Sequence, residues 1–197
     1  MRPIDAIVIG ASAGGVEALA TVLPALDPGY AGAVFVVLHL PRERPSLLVD
    51  IFSPNCALAV CEADDKQPIA AGTLYFAPPD YHMLIDDGPQ LALSADEPVL
   101  FSRPSIDVLF ESAADAYGAR LLGVLLTGAS GDGAQGLAAI RRGGGLTVAQ
   151  DPATALAPQM AEEAIRRGAA AQILDLAGIA RLLREITSGT GAAAERS

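Results

Sequence analysis

Short apolar runs alternate with stretches of helical spacing along most of this chain. Ile4 to Ile9 and Ala33 to Leu38 are almost continuously apolar, as strands covered on both faces are. Between them Val16 to Leu26 has the period of a helix, and a second helix starts near Ser46. Further strands are predicted at Leu58 to Glu62, Thr73 to Ala77, Leu121 to Leu126, Leu146 to Ala149 and Gln172 to Leu174. Strands alternating with helices predict βαβ units and a parallel sheet. His82 to Leu93 breaks the rhythm, with two alternating runs around Asp87-Gly88 that predict a β-hairpin appended to the sheet.

The later helices carry their own boundary signals. Asp107 lies in the first turn of one that runs to Gly118, and Ala134 to Arg142 ends in Gly143-Gly144-Gly145. Glu162 and Glu163 stand four residues before Arg166 and Arg167, with Gly168 as the stop, so side-chain pairing and helix dipole agree. One domain over residues 1–187 and a frayed tail over residues 188–197 are expected.

Composition narrows the function. A chain of 197 residues with 51% hydrophobic and only 5% aromatic residues suits one α/β domain. The net charge of −10 speaks against a nucleic-acid partner, which needs a basic stripe. No apolar run approaches a membrane span, so no direct membrane insertion is expected. Cys56 and Cys61 form one CxxxxC pair without a nearby histidine, which gives no metal site and suggests a reducing, cytoplasmic setting.

The chemistry gathers at strand ends. Gly10-Ala11-Ser12-Ala13-Gly14 directly follows the first strand, a GxSxG turn of the kind that lifts a serine oxygen clear of a sheet. A serine there can equally cap the next helix. His39 ends the second predicted strand, and Asp132 lies in the glycine-rich loop behind Leu121 to Leu126, where it can also serve as an N-cap. Parallel strands joined by right-handed crossovers share one carboxyl edge, so Ser12, His39 and Asp132 converge as nucleophile, base and orienting acid. The amides of Ala13, Gly14 and Gly15 are candidate oxyanion donors. His82 opens the hairpin, away from that edge, and is read as a satisfied or solvent-facing side chain. Met83 and Met160 are read as packing residues, and Arg42 and Arg44 as a solvated loop.

The order Ser, His, Asp excludes the α/β-hydrolase fold, in which the histidine comes last. The first turn also resembles a GxGxxG dinucleotide fingerprint with Ser12 at the second glycine. That reading lacks its acid at the second strand's end, where Leu38-His39-Leu40 stands and Glu43 is the nearest carboxylate.

Several segments in this order resemble the catalytic domain of the CheB-type chemotaxis protein-glutamate methylesterases, from about Ile4 to Leu183. Ile9 to Gly15 is similar to the family's nucleophile turn, His39-Leu40-Pro41 to its histidine motif, and Leu126-Thr127-Gly128 with Gly131-Asp132-Gly133 to its aspartate loop. Arg103 to Phe110 and Ala77 to Met83 match two further family segments, and Arg103 is a candidate substrate-binding residue. The resemblance implies a three-layer α/β/α domain, with a mainly parallel doubly wound sheet and the appended antiparallel hairpin. It implies Ser12, His39 and Asp132 as the triad, hydrolysis of glutamate γ-methyl esters on a methylated chemoreceptor with release of methanol, and glutamine deamidation, with no cofactor and no metal. Ala129 departs from the family's usual Met, and Gln159-Met160-Ala161-Glu162-Glu163 from its Gly-Met-Pro-Arg-Glu. The predicted domain begins near residue 4, so the receiver domain of most members has no counterpart and regulation falls to a separate partner or is absent. A catalytically silent interaction module of the same fold is the alternative from another class, and a Rossmann-like nucleotide-binding protein the third.

Overall fold

The computed structural model describes residues 3–40, 46–86 and 88–194, with side chains through residue 189. The loop around Arg42, Glu43 and Arg44, together with Pro41 and Asp87, lies outside the described residues.

Seven parallel strands make the main sheet: β1 (Ala6–Ala11), β2 (Ala33–Leu38), β3 (Ala59–Glu62), β4 (Thr73–Phe76), β7 (Leu121–Leu125), β8 (Leu146–Gln150) and β9 (Gln172–Leu174). Their order is β3-β4-β2-β1-β7-β8-β9. The chain therefore builds outward in one direction from β1, then returns and builds in the other. The crevice at such a reversal, outside the carboxyl ends of the strands, is where open α/β sheets place their ligands. Here it lies between β1 and β7.

Continuous apolar strands follow from the two covered faces. Ile7, Ile9 and Ala11 pack on one side with α1 (Gly15–Val22), α2 (Leu48–Phe52) and α6 (Leu176–Ala194). Ala6 and Val8 face the other side, against α3 (Ile106–Tyr117), α4 (Ala134–Arg142) and α5 (Gln159–Arg166). This is the expected three-layer, doubly wound α/β/α arrangement.

Two elements carry detail beyond the sequence reading. The hairpin, β5 (His82–Ile85) and β6 (Leu91–Ser94), forms its own antiparallel sheet rather than extending the main one. Met83, Ile85 and Leu91 bury it in the core on the α3 side, so its alternating pattern reflects packing on a helix. α6 runs to Ala194, into the segment expected to fray, whose residues 195–197 lie outside the described residues. Ser188 Oγ bonds Arg184 O at 2.7 Å within that helix.

Glycines at two positions bring the layers together at the site. A Cβ on Gly10 would lie 2.4 Å from Ile106 Cγ2, so α3 approaches β1 only because position 10 lacks a side chain. Gly133, at φ 94°, starts α4 in a left-handed conformation beside the same Ile106.

Candidate active site

Ser12 and His39 leave adjacent strands at matching positions. Ala11 pairs with Leu38 at the last rung between β1 and β2, and His39 N donates to Ala11 O at 3.1 Å. Ser12 does not cap α1. The cap position belongs to Gly14, at φ 77°, and no side chain accepts there. The turn is instead tied down by Thr127, whose carbonyl accepts from Ser12 N at 2.9 Å and whose hydroxyl donates to Ala13 O at 2.9 Å.

Asp132 is not a helix cap either, because Gly133 occupies that position on α4. Its carboxylate is fully buried and accepts four hydrogen bonds. Oδ2 receives His39 Nε2 at 2.8 Å and Ile106 N at 2.7 Å, while Oδ1 receives Ser105 Oγ at 2.8 Å and Asp107 N at 3.0 Å. Burial alone would raise its pKa, but the bonds from His39 and the two amides outweigh that and hold it below the usual carboxylate value. An ionised carboxylate only accepts, so His39 carries its proton on Nε2 and leaves the Nδ1 lone pair free to act as a base. Compared with the usual triad, the two ring nitrogens exchange roles.

His39 Nδ1 lies 3.4 Å from Ser102 Oγ. Among the described residues no hydrogen bond joins it to Ser12 Oγ. Catalytic contacts are often long before substrate binds and close in the complex. Ser12 is half-buried.

A second grouping contains the same residue types, since His82, Ser105 and Asp132 are linked by hydrogen bonds. His82 is buried rather than remote from the site, accepting Ser105 N on Nδ1 at 3.1 Å and bonding Glu97 O through Nε2 at 3.1 Å. It meets the backbone of Ser105, not its hydroxyl. Ser105 is fully buried, caps α3 and directs its hydroxyl at Asp132, so this group braces the carboxylate and presents no nucleophile.

The candidate oxyanion donors separate. Gly15 N is committed to Ser12 O at 2.7 Å, which removes it from the set proposed from sequence. Among the described residues the amides of Ala13 and Gly14 make no such bond. Arg103 donates through Nε and Nη2 to Asp80 Oδ1 and through Nη1 to Ala95 O and Asp96 O. Its guanidinium thus clamps the loop before α3. Met83 and Met160 are fully buried packing residues, as expected. Sequence reasoning missed Ser102, Ser105 and Thr127, since none stands in a motif that announces a hydrogen bond to a distant residue.

A serine, a histidine and an ionised aspartate at the carboxyl edge of a doubly wound sheet are the groups a serine hydrolase needs, in a chain order other than that of the α/β-hydrolase fold. The CheB methylesterase family model matches residues 7–183. The chain belongs to that family, whose members are hydrolases. A protein of Anaeromyxobacter dehalogenans named protein-glutamate methylesterase/protein-glutamine glutaminase 2 is 41% identical over 184 residues, covering 93% of this chain and 54% of that protein. A Leptospira interrogans protein, whose name gives the same two activities provisionally, is 44% identical over 178 residues and is matched over 92% of its length. The crystal structure of the Thermotoga maritima CheB methylesterase catalytic domain superposes with a TM-score of 0.86 at 28% identity, over 93% of this chain and 98% of that one. Family membership sets aside the dinucleotide reading of the first turn. No helix among the described residues is long and apolar enough to cross a membrane.

Proposed function

We propose that this domain hydrolyses γ-methyl esters of glutamate side chains on a methylated chemoreceptor or similar signalling protein, with Ser12 as nucleophile, His39 as base and Asp132 as the orienting acid. The observation that carries the reading is the ionised, fourfold-bonded Asp132 on His39 Nε2, beside a serine held on an uncapped turn. Ser12 Oγ attacks the ester carbonyl as His39 Nδ1 takes its proton. The amides of Ala13 and Gly14 receive the developing oxyanion. His39 returns the proton to the methoxy oxygen, methanol leaves, and water then cleaves the acyl-enzyme by the same proton path. The amide of glutamine fits this route with ammonia as leaving group, which accounts for deamidation. Arg103 supports the site by fixing its loop and does not touch the ester.

The thiols of Cys56 and Cys61 are unpaired, and burial pushes the pKa of both up. Free thiols favour a reducing compartment, in keeping with a cytoplasmic enzyme.

Methanol release from a carboxyl-methylated receptor fragment tests the assignment. Ser12→Ala abolishes release, and Asp132→Asn lowers the rate by about 10⁴-fold, the scale of losing an orienting carboxylate. Undiminished release by either variant contradicts it.

A further inference from the structure

Two exposed apolar residues immediately precede Ser102, the residue that touches His39. Val99 and Ser102 exchange both backbone hydrogen bonds, at 2.8 and 3.1 Å, around a two-residue turn of Leu100 and Phe101. Both turn residues have positive φ, 47° and 66°. Turns of this shape favour Asn-Gly, because a Cβ is strained there. Leu100 is 52% and Phe101 98% exposed. The chain thus holds two large apolar side chains in water on a strained backbone, a combination that marks function more often than stability.

The turn is coupled to the catalytic groups on its other end. Ser102 contacts His39 Nδ1, and Arg103 fixes the base of the loop through Asp80, Ala95 and Asp96. With Glu97 and Pro98, the two apolar residues line a depression of about 620 Å³. On the nucleophile's side, Leu156 is 79% exposed, and its Cβ lies 2.8 Å from where a side chain on Gly14 would begin. Apolar surface therefore stands next to both the base and the nucleophile turn.

We infer that Leu100 and Phe101 are specificity determinants that seat the apolar stripe of a helix of the ester-bearing protein beside His39. This rests on the esterase reading above. Residues three and four positions from a glutamate on a helix share its face, so a helix that presents its ester to Ser12 offers those neighbours to the turn. Charge favours the same occupant. The loop exposes Asp96 and Glu97, its arginine is engaged, and the chain carries a net charge of −10. Such a rim accepts a helix whose glutamates are neutralised as esters and repels the carboxylate product.

The paired change L100N/F101G tests this without threatening the fold, since Asn-Gly suits the turn and raises the melting temperature. Binding of a carboxyl-methylated helical receptor fragment, read by fluorescence anisotropy, weakens by about tenfold or more, as for loss of an interface anchor. Leu156→Ser weakens it as well. An unlowered melting temperature in L100N/F101G shows that the weakened binding is not unfolding. A dissociation constant unchanged within twofold in the paired variant overturns the inference. Failure of the unsubstituted protein to release methanol from the same fragment overturns the esterase reading instead, and the binding result stands apart from it.

Discussion

Asp132 and Asp107 are neighbouring buried carboxylates whose surroundings shift their protons in opposite directions. Asp107 is pushed up to about 6, by burial first and by the charge of Asp132, while the amide of Gly136 on its Oδ1 opposes the rise. Between about pH 4 and 6 the folded chain holds a proton on Asp107 that the unfolded chain has released, so stability falls as pH rises through that window. Asp132 is depressed, so its contribution is complete above the unfolded value near 4 and is lost as pH falls through its folded value. Acidification from pH 7 toward 4 should therefore stabilise the protein through Asp107. Asp107→Asn should flatten that rise by roughly 1–2 kcal/mol, discounted for the part of its field that reaches solvent, and leave the loss below pH 4. Urea unfolding across pH checks this, and an identical pH profile in the variant contradicts it. At this scale the sequence placed Ser12 and His39 at strand ends and Asp132 in the glycine-rich loop after β7, where the structure has them, because apolar runs and small-residue turns mark such positions. It could not disclose that Gly15's amide is spent on Ser12 O, or that Ser105 braces Asp132. Hydrogen-bond partners are a property of packing.

The β1–α1 turn and the start of α3 depend on one another. A methyl group at position 10 would lie 2.4 to 3.1 Å from three carbons of Ile106, whose amide holds Asp132. Gly10→Ala should destabilise the fold by about 1–3 kcal/mol, the usual cost of overpacking, and lower methanol release by displacing the carboxylate's donors. Thermal melts paired with activity check this, and loss of neither contradicts it. The strands were legible because both faces are covered, which leaves long apolar runs. The hairpin was legible from its two alternating runs, yet its standing as a separate sheet was not, because an alternating pattern does not say which surface covers the apolar side. The extent of α6 past Ser188 was not legible, because the small residues of that segment carry little periodic signal.

For the whole molecule, the strand order matters most. Building outward from β1 in both directions sets the carboxyl ends of β1, β2 and β7 side by side, so Ser12, His39 and Asp132 follow strands that end on one edge, and His39 bonds Asp132 there. The parallel rhythm in the sequence announced a shared edge, but the position of the reversal came only from the pairing of β1 with both β2 and β7. The same crevice also gathers a second serine–histidine pair, so residue composition near Asp132 does not single out the nucleophile. Locating the adduct of a fluorophosphonate by peptide mass spectrometry does so directly. The account predicts modification at Ser12, with labelling lost in His39→Gln. An adduct on Ser102 or Ser105, or labelling of Ser12 at full rate without His39, would contradict it.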